Sequence, residues 1–101
     1  PNTITNVENE FNLISEYRLN QNYPNPFNPT TTINYTIPMT SNVSLKIFNV
    51  LGKEVATLEN KTKNAGNYSI NFNAVGLSSG VYFYQLTTDN FTSTKKFTLM
   101  K

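Results

Sequence analysis

From Tyr17 onward, apolar and polar side chains alternate along most of this chain. In the clearest example, Ile33, Tyr35 and Ile37 are separated by Asn and Thr, so one face of an extended segment can be buried while the other stays in water. The same reasoning predicts further strands near residues 17–21, 43–47, 54–58, 68–72, 80–88 and 91–101. Seven short strands in about 85 residues favour an all-β fold, an immunoglobulin-like antiparallel β-sandwich of about seven strands.

Polar segments between the predicted strands indicate how the strands are connected. Asn49–Lys53, which includes Gly52, predicts a tight turn, so the strands on either side of it should form a hairpin. Residues 59–66, with the sequence ENKTKNAG, predict a polar connection. In the last strand, Phe97 and Leu99 share one face, and this spacing predicts that both lie in the core.

The stretch GVYFYQLTT, which begins at Gly80, has apolar side chains on both of its faces. This pattern predicts a strand that is buried on both sides. Leu77, Gly80 and Tyr82 also fit a tyrosine corner, in which the tyrosine hydroxyl binds back to the loop before the strand. The alternative is an ordinary strand that begins at a glycine, with Leu77 in the core.

Composition supports this fold class and excludes many kinds of site. Asn and Thr, with 17 and 14 residues, disfavour helices because their side chains compete for backbone hydrogen bonds. The chain has no Cys, His or Trp, which excludes disulfides, thiol nucleophiles, imidazole bases and zinc sites built from those ligands. Glu54 and Glu59 would point to opposite faces of one strand, so they cannot act as a catalytic pair. We therefore expect no enzyme, cofactor or metal site.

Charge and hydropathy also limit the expected partners. The formal net charge is +2, but the lysines are scattered over different predicted strands, so no nucleic-acid-binding surface is expected. No apolar run approaches the roughly 18 residues that a membrane-spanning helix requires. No glycine-rich motif for binding phosphate is present. The chain is expected to work through contacts with other proteins.

The first 17 residues differ from the rest of the chain. They carry three Glu and no Lys or Arg, whereas residues 18–101 hold eight basic and three acidic side chains. Their apolar residues Ile4, Val7, Phe11 and Ile14 have helical spacing, although one isolated stripe of this length is marginal in water. We predict an acidic linker over 1–17 and one domain over 18–101. Because the chain begins with Pro1, we expect it to be part of a longer precursor.

The most unusual segment is QNYPNPFNPTTT, residues 21–32. Three prolines within it restrict their own φ angles and those of the preceding residues, which predicts a stiff, extended corner. Proline has no N–H to donate, so the segment must lie at an edge or outside the sheets. It either shapes the turn between the first two strands, with Tyr23 and Phe27 closing one end of the core, or it forms a surface that a receptor recognises.

Four stretches of the chain form a characteristic set: LNQNYPNPFNPTTTINYTIP, VSLKIFNVLGKEVATL, GNYSINFNAVGLSSGVYFYQL and TKKFTLMK. Together and in this order they closely resemble the C-terminal sorting domain of the type IX secretion system, in its type A form. The resemblance runs from about Arg18 to Lys101. It implies a β-sandwich at the C-terminus of secreted cargo from Bacteroidota-like bacteria.

The resemblance also implies partners and a route. Cargo of this kind enters the periplasm by a separate N-terminal signal, and the folded domain is recognised by outer-membrane translocon or shuttle proteins. The cargo then reaches the cell surface or the medium, and a sortase-like peptidase commonly removes the domain. Residues 1–17 would accordingly join an upstream cargo domain to the sorting domain and contain the cleavage point.

Carried over to this sequence, the resemblance implies a set of recognition residues. They lie in the final strand, at the start of the GVY element and in the proline-rich segment: Lys95, Lys96, Lys101, Gly80, Tyr82, Pro24, Asn25, Pro26 and Phe27. We hypothesise that a partner pairs with the edge of the last strand and is attracted by the lysines.

Two other functions are compatible with these residues. The chain is also similar to immunoglobulin-like domains of flagellar hook-capping proteins, which would make it a structural module. A carbohydrate-binding module of a secreted enzyme would use Tyr23, Phe27, Tyr82 or Tyr84 as stacking platforms.

Overall fold

Seven strands form within residues 16–101, the part of the chain that the computed structural model describes. They are β1 (Arg18–Leu19), β2 (Thr30–Ile37), β3 (Ser41–Phe48), β4 (Glu54–Lys63), β5 (Gly66–Asn73), β6 (Gly80–Thr87) and β7 (Thr92–Leu99). The predicted all-β fold of about seven strands is therefore confirmed. The stripe of Ile4, Val7, Phe11 and Ile14 lies outside the described residues.

The strands form two sheets with antiparallel pairing throughout. One sheet has three strands in the order β1-β2-β5, and the other has four in the order β4-β3-β6-β7. The two sheets enclose one apolar core between their inner faces, which is a β-sandwich. The predicted hairpin of β3 and β4 is present, and Gly52 in its turn has a φ of +84°, a conformation that favours glycine.

The alternating pattern places the predicted core residues on the inner faces. Ile33, Tyr35 and Ile37 of β2 are at most 1% exposed, and Phe97 and Leu99 of β7 are equally buried. The intervening Asn and Thr side chains of β2 face solvent, where Thr32 and Thr36 donate to Asn side chains of β5. Burial of one face explains why the period of two predicted these strands correctly.

β4 is longer than the sequence predicted. It continues through Lys63 and stays paired with β3 along its whole length, from Phe48 opposite Glu54 to Ser41 opposite Lys63. The predicted polar connection over 59–66 is therefore wrong. An edge strand of this kind obtains its backbone hydrogen bonds from its neighbour and needs little apolar patterning, so a polar sequence can still form it.

β6 is buried on one face and partly exposed on the other. Tyr82, Tyr84 and Leu86 point into the core, whereas Val81 is 38% exposed and Phe83 is only half-buried. The prediction that this strand is buried on both sides is wrong, because the sandwich has two layers and nothing among the described residues covers this outer face. The predicted tyrosine corner is present: the Tyr82 hydroxyl donates to the carbonyl oxygen of Ser78 at 2.7 Å.

Two buried tyrosine hydroxyls have opposite hydrogen-bonding environments. The Tyr84 hydroxyl donates to the carbonyl oxygen of Asn20 at 2.7 Å and accepts from the backbone N–H of Asn22 at 2.8 Å. Burial raises the pKa of Tyr84 to about 12, so this hydroxyl keeps the proton that it donates even at a pH at which an exposed tyrosine ionises. The Tyr35 hydroxyl is buried and has no hydrogen-bond partner among the described residues.

We expect replacement by phenylalanine to have opposite effects at these two tyrosines. Tyr84→Phe should lower the free energy of unfolding by about 2 kcal/mol, because it leaves backbone groups of the β1–β2 connection without their partner. Tyr35→Phe should cost nothing or stabilise by up to about 1 kcal/mol, since it removes a buried polar group without a partner. Urea unfolding of both variants measures the difference. A loss of stability for Tyr35→Phe as large as that for Tyr84→Phe would contradict this interpretation.

Candidate recognition site

The proline-rich segment lies against the free edge of β7. Phe27 makes a parallel bridge to Leu99: its N–H donates to the Thr98 carbonyl at 3.1 Å, and its carbonyl accepts from the Met100 N–H at 3.0 Å. The Asn25 side-chain oxygen accepts from the Thr98 N–H at 3.0 Å. As predicted, the three prolines lie outside the regular strands, whereas the last three residues of the segment, 30–32, begin β2. The Tyr23–Pro24, Asn25–Pro26 and Asn28–Pro29 peptide bonds are cis.

This arrangement occupies the edge that the sequence hypothesis assigned to a partner. Gln21 adds a further bond from its side-chain nitrogen to the Lys96 carbonyl at 2.7 Å. The outward-facing backbone groups from the Lys96 carbonyl to the Met100 N–H therefore already have partners within the chain. The hypothesis that a partner pairs with the backbone of the final strand is wrong for this half of β7. The proline-rich segment itself covers that edge.

The segment is anchored by Phe27, which is 3% exposed. Its ring meets Phe97 edge-on at a centroid distance of 4.9 Å and Phe72 at 6.4 Å, so it closes one end of the core as predicted. Tyr23 was predicted to share this role, but it is 80% exposed and the prediction is wrong. Pro24, Asn25 and Pro26 are exposed, so they supply the accessible surface of the segment.

The proline-rich segment is also held by a buried polar side chain, that of Asn22, which was not predicted from the sequence. The Asn22 side chain is 2% exposed, and its amide nitrogen lies 3.0 Å from the Thr31 hydroxyl and 3.1 Å from the Pro24 carbonyl. The Thr31 hydroxyl itself donates to the same carbonyl at 2.8 Å. A proline-rich backbone has few N–H groups to bond its own carbonyls, so a neighbouring side-chain amide must donate to them instead. An Asn directly before the prolines is therefore the feature of the sequence that could have indicated this role.

The three lysines implied by the resemblance point in different directions. Lys96 is exposed on the outer face of β7, and Lys95 is half-buried on the opposite side of the strand. The Lys101 ammonium donates to the Val75 carbonyl at 2.6 Å, and the Lys101 N–H donates to the Ser79 hydroxyl at 2.9 Å. The structure therefore does not bring the lysines together into one charged cluster.

The remaining two predicted residues act within the fold. Gly80 begins β6 with a φ of +152°, which residues with a side chain rarely adopt, and Tyr82 is 8% exposed. The burial of Phe27, Tyr82 and Tyr84 also removes three of the four aromatic rings that the carbohydrate-binding interpretation required. Of these four rings, only Tyr23 is open to a sugar.

Residues 16–101 lack two other kinds of feature. No group of three or more His, Cys, Asp or Glu side chains is placed to hold a metal ion. No helix there is long and apolar enough to cross a membrane.

Comparison with known proteins gives a family and a structural likeness. The family described as "Secretion system C-terminal sorting domain" matches residues 21–100. A solved structure of PorZ, described as an essential bacterial surface component of the type-IX secretion system of Porphyromonas gingivalis, aligns with a TM-score of 0.58 and 22% identity. The alignment covers 84% of this chain and 11% of that chain, and it concerns the fold. No curated protein matches the chain in sequence.

Proposed function

The chain belongs to the family of C-terminal sorting domains of the type IX secretion system, and on this premise we propose that residues 18–101 carry an upstream cargo protein across the outer membrane. Partner proteins bind the surface of the folded sorting domain. Its partners are outer-membrane translocon or shuttle proteins. The cargo passes through the periplasm and is delivered to the cell surface or the medium.

The observation that carries this proposal is the extent of the family match. It begins at Gln21, whose side chain bonds the final strand, and it ends at Met100, whose N–H bonds Phe27. The matched region therefore coincides with a unit whose first and last segments are joined by hydrogen bonds. These contacts exist only in the folded chain. A partner protein that binds both segments therefore recognises the folded sandwich and not a linear peptide.

We further propose that a sortase-like peptidase separates the domain from its cargo within the acidic linker, residues 1–17. Peptidases cut exposed backbone outside packed elements. The packed part of the domain includes Tyr17, whose ring stacks on Phe91, and β1 begins at the next residue, Arg18. Cleavage before this strand would leave all seven strands intact. PorZ, an essential bacterial surface component of the type-IX secretion system, contains a domain of this fold, which supports a role for the fold in that system.

Export of a reporter tests the proposal. Residues 1–101 are fused behind a fluorescent protein that carries a periplasmic signal, and the fusion is produced in a type IX host and in the same host without its outer-membrane translocon. We expect fluorescence at the surface or in the medium only in the first strain, and periplasmic retention in the second. The fluorescent protein without residues 1–101 is the matched control.

The same experiment separates the competing functions. A structural module of the hook-capping type, or a carbohydrate-binding module, predicts equal location of the reporter in both strains. Equal delivery would therefore remove the sorting assignment. Mass spectrometry of the delivered reporter would locate the cleavage, which we expect between residues 1 and 17.

A further inference from the structure

The outer face of the four-stranded sheet carries an aromatic pair that the fold does not require. Phe48 of β3 and Phe83 of β6 lie opposite each other in the register, and both are half-buried on the solvent side. Val81 beside Phe83 is 38% exposed, and Val50 in the adjoining turn is 65% exposed. A groove of about 310 Å³ opens between this turn and the faces of β6 and β7.

The other sheet of the same molecule shows that polar residues suffice at such positions. The outer face of β2 and β5 carries Asn, Thr and Ser side chains along its length, for example Asn34 opposite Ser69 and Thr36 opposite Asn67. Both outer faces meet solvent, yet the four-stranded sheet carries aromatic residues on its two central strands, β3 and β6. Exposed apolar patches bordered by polar residues are typical of protein-binding sites.

The border of the aromatic patch is positively charged. Lys96 lies directly opposite Phe83 in the register and is exposed, with no carboxylate within salt-bridge distance among residues 16–101. Lys46 on the same face is 3.3 Å from Glu54, so its charge is compensated. A hydrogen bond from Thr57, together with Lys46, lowers the pKa of Glu54 and keeps this carboxylate ionised. Among residues 16–101, Lys96 therefore adds an uncompensated positive charge directly beside Phe83, and exposed Lys53 in the adjoining turn adds another at the border of the patch.

We propose that this face, defined by Phe48, Val81, Phe83 and Lys96, is the docking surface for a protein of the secretion machinery that presents apolar side chains next to carboxylates. The inference rests on the proposed sorting function and specifies its partner. Aromatic anchors supply most of the affinity in such interfaces, and a charge at the border sets orientation and the rate of encounter. A second copy of the chain is a poorer occupant, because the same face on that copy would offer Lys96 only Glu54, which is already paired with Lys46.

Reporter export in the type IX host tests the docking surface with two variants. Phe83→Ser removes the anchor, and Lys96→Glu reverses the charge while leaving the core untouched. We expect export to fall about tenfold for each, because loss of one interface anchor or of a complementary charge corresponds to about that change in affinity. Lys96→Arg keeps the charge and should export normally.

Two matched controls place equivalent changes elsewhere on the surface. Val75→Ser removes an apolar residue that is 68% exposed in the β5–β6 connection, and Arg18→Glu reverses an exposed charge on the three-stranded sheet. Both should export like the original chain. Circular dichroism and the midpoint of thermal unfolding of each purified chain confirm that it is folded. If Phe83→Ser unfolds the domain, Val81→Ser on the same face, at a position that is 38% exposed, replaces it.

The outcomes distinguish this inference from the function on which it rests. Normal export of folded Lys96→Glu, or of folded Phe83→Ser or its substitute, overturns the docking surface while the sorting function stands. Equal loss of export in the Val75→Ser and Arg18→Glu controls also overturns it, because the effect would not be specific to this face. Failure of the unchanged chain to direct export would instead refute the sorting function itself.

Discussion

Phe97→Ala is expected to lower the free energy of unfolding by about 3–5 kcal/mol, the usual cost of removing a fully buried phenylalanine ring. Phe97 is completely buried, and its ring packs against four other aromatic rings. The centroid distances are 4.9 Å to Phe27, 5.6 Å to Tyr82, and 6.0 Å to both Phe72 and Tyr84. These residues come from both sheets and from the proline-rich segment, so one cavity would weaken all three.

The midpoint of thermal unfolding measures this effect. For a domain of this size, about 1 kcal/mol corresponds to a shift of roughly 4–8 °C, so we expect a decrease of more than about 10 °C. Met100→Ala is the matched control, since Met100 lies three positions away and is 58% exposed. Equal midpoints for the two variants would show that Phe97 is not the centre of the core.

Phe27→Ala is expected to destabilise the domain by a similar amount, about 3–5 kcal/mol, because Phe27 is almost fully buried against Phe97 and Phe72. It should also loosen the proline-rich segment from β7. The Met100 N–H donates to the Phe27 carbonyl, so exchange of this amide hydrogen with deuterium should become faster. Unfolding by urea and hydrogen exchange observed by NMR measure the two effects.

Tyr23→Ala provides the comparison within the same segment. Tyr23 is 80% exposed, and its backbone hydrogen bonds to Thr32 do not depend on its side chain. We expect a change below about 0.5 kcal/mol and unaltered exchange at Met100. If Tyr23→Ala destabilised the domain as much as Phe27→Ala, the surface of the segment and not its buried ring would hold it in place.

The sequence predicted the strands best where one face of a strand is buried. Ile33, Tyr35 and Ile37 revealed β2 because each second position enters the core. The prediction failed at the second half of β4, where polar residues such as Asn60 and Thr62 form an edge strand. It also failed for the outer face of β6. An apolar residue such as Phe83 on that face would be buried only if a further layer packed on the outside of the four-stranded sheet.

The candidate site was predicted in part. The resemblance named the proline-rich segment and the final strand, which the structure brings together, but it could not show that one covers the edge of the other. Asn22 and Phe83 were not predicted as residues of the site. A buried amide and an exposed ring depend on neighbours from distant parts of the chain, and a linear pattern does not contain those neighbours.

By itself, the sequence determined where most of the strands lie and which side of most strands is apolar, because both follow from a local period of two. It also identified the family through motifs that stand in a fixed order. Only the tertiary structure decided how Asn25 meets Thr98 across 73 positions and which face stays open to solvent. Those features depend on pairing between distant segments and on the number of packed layers, and neither is a local property of the chain.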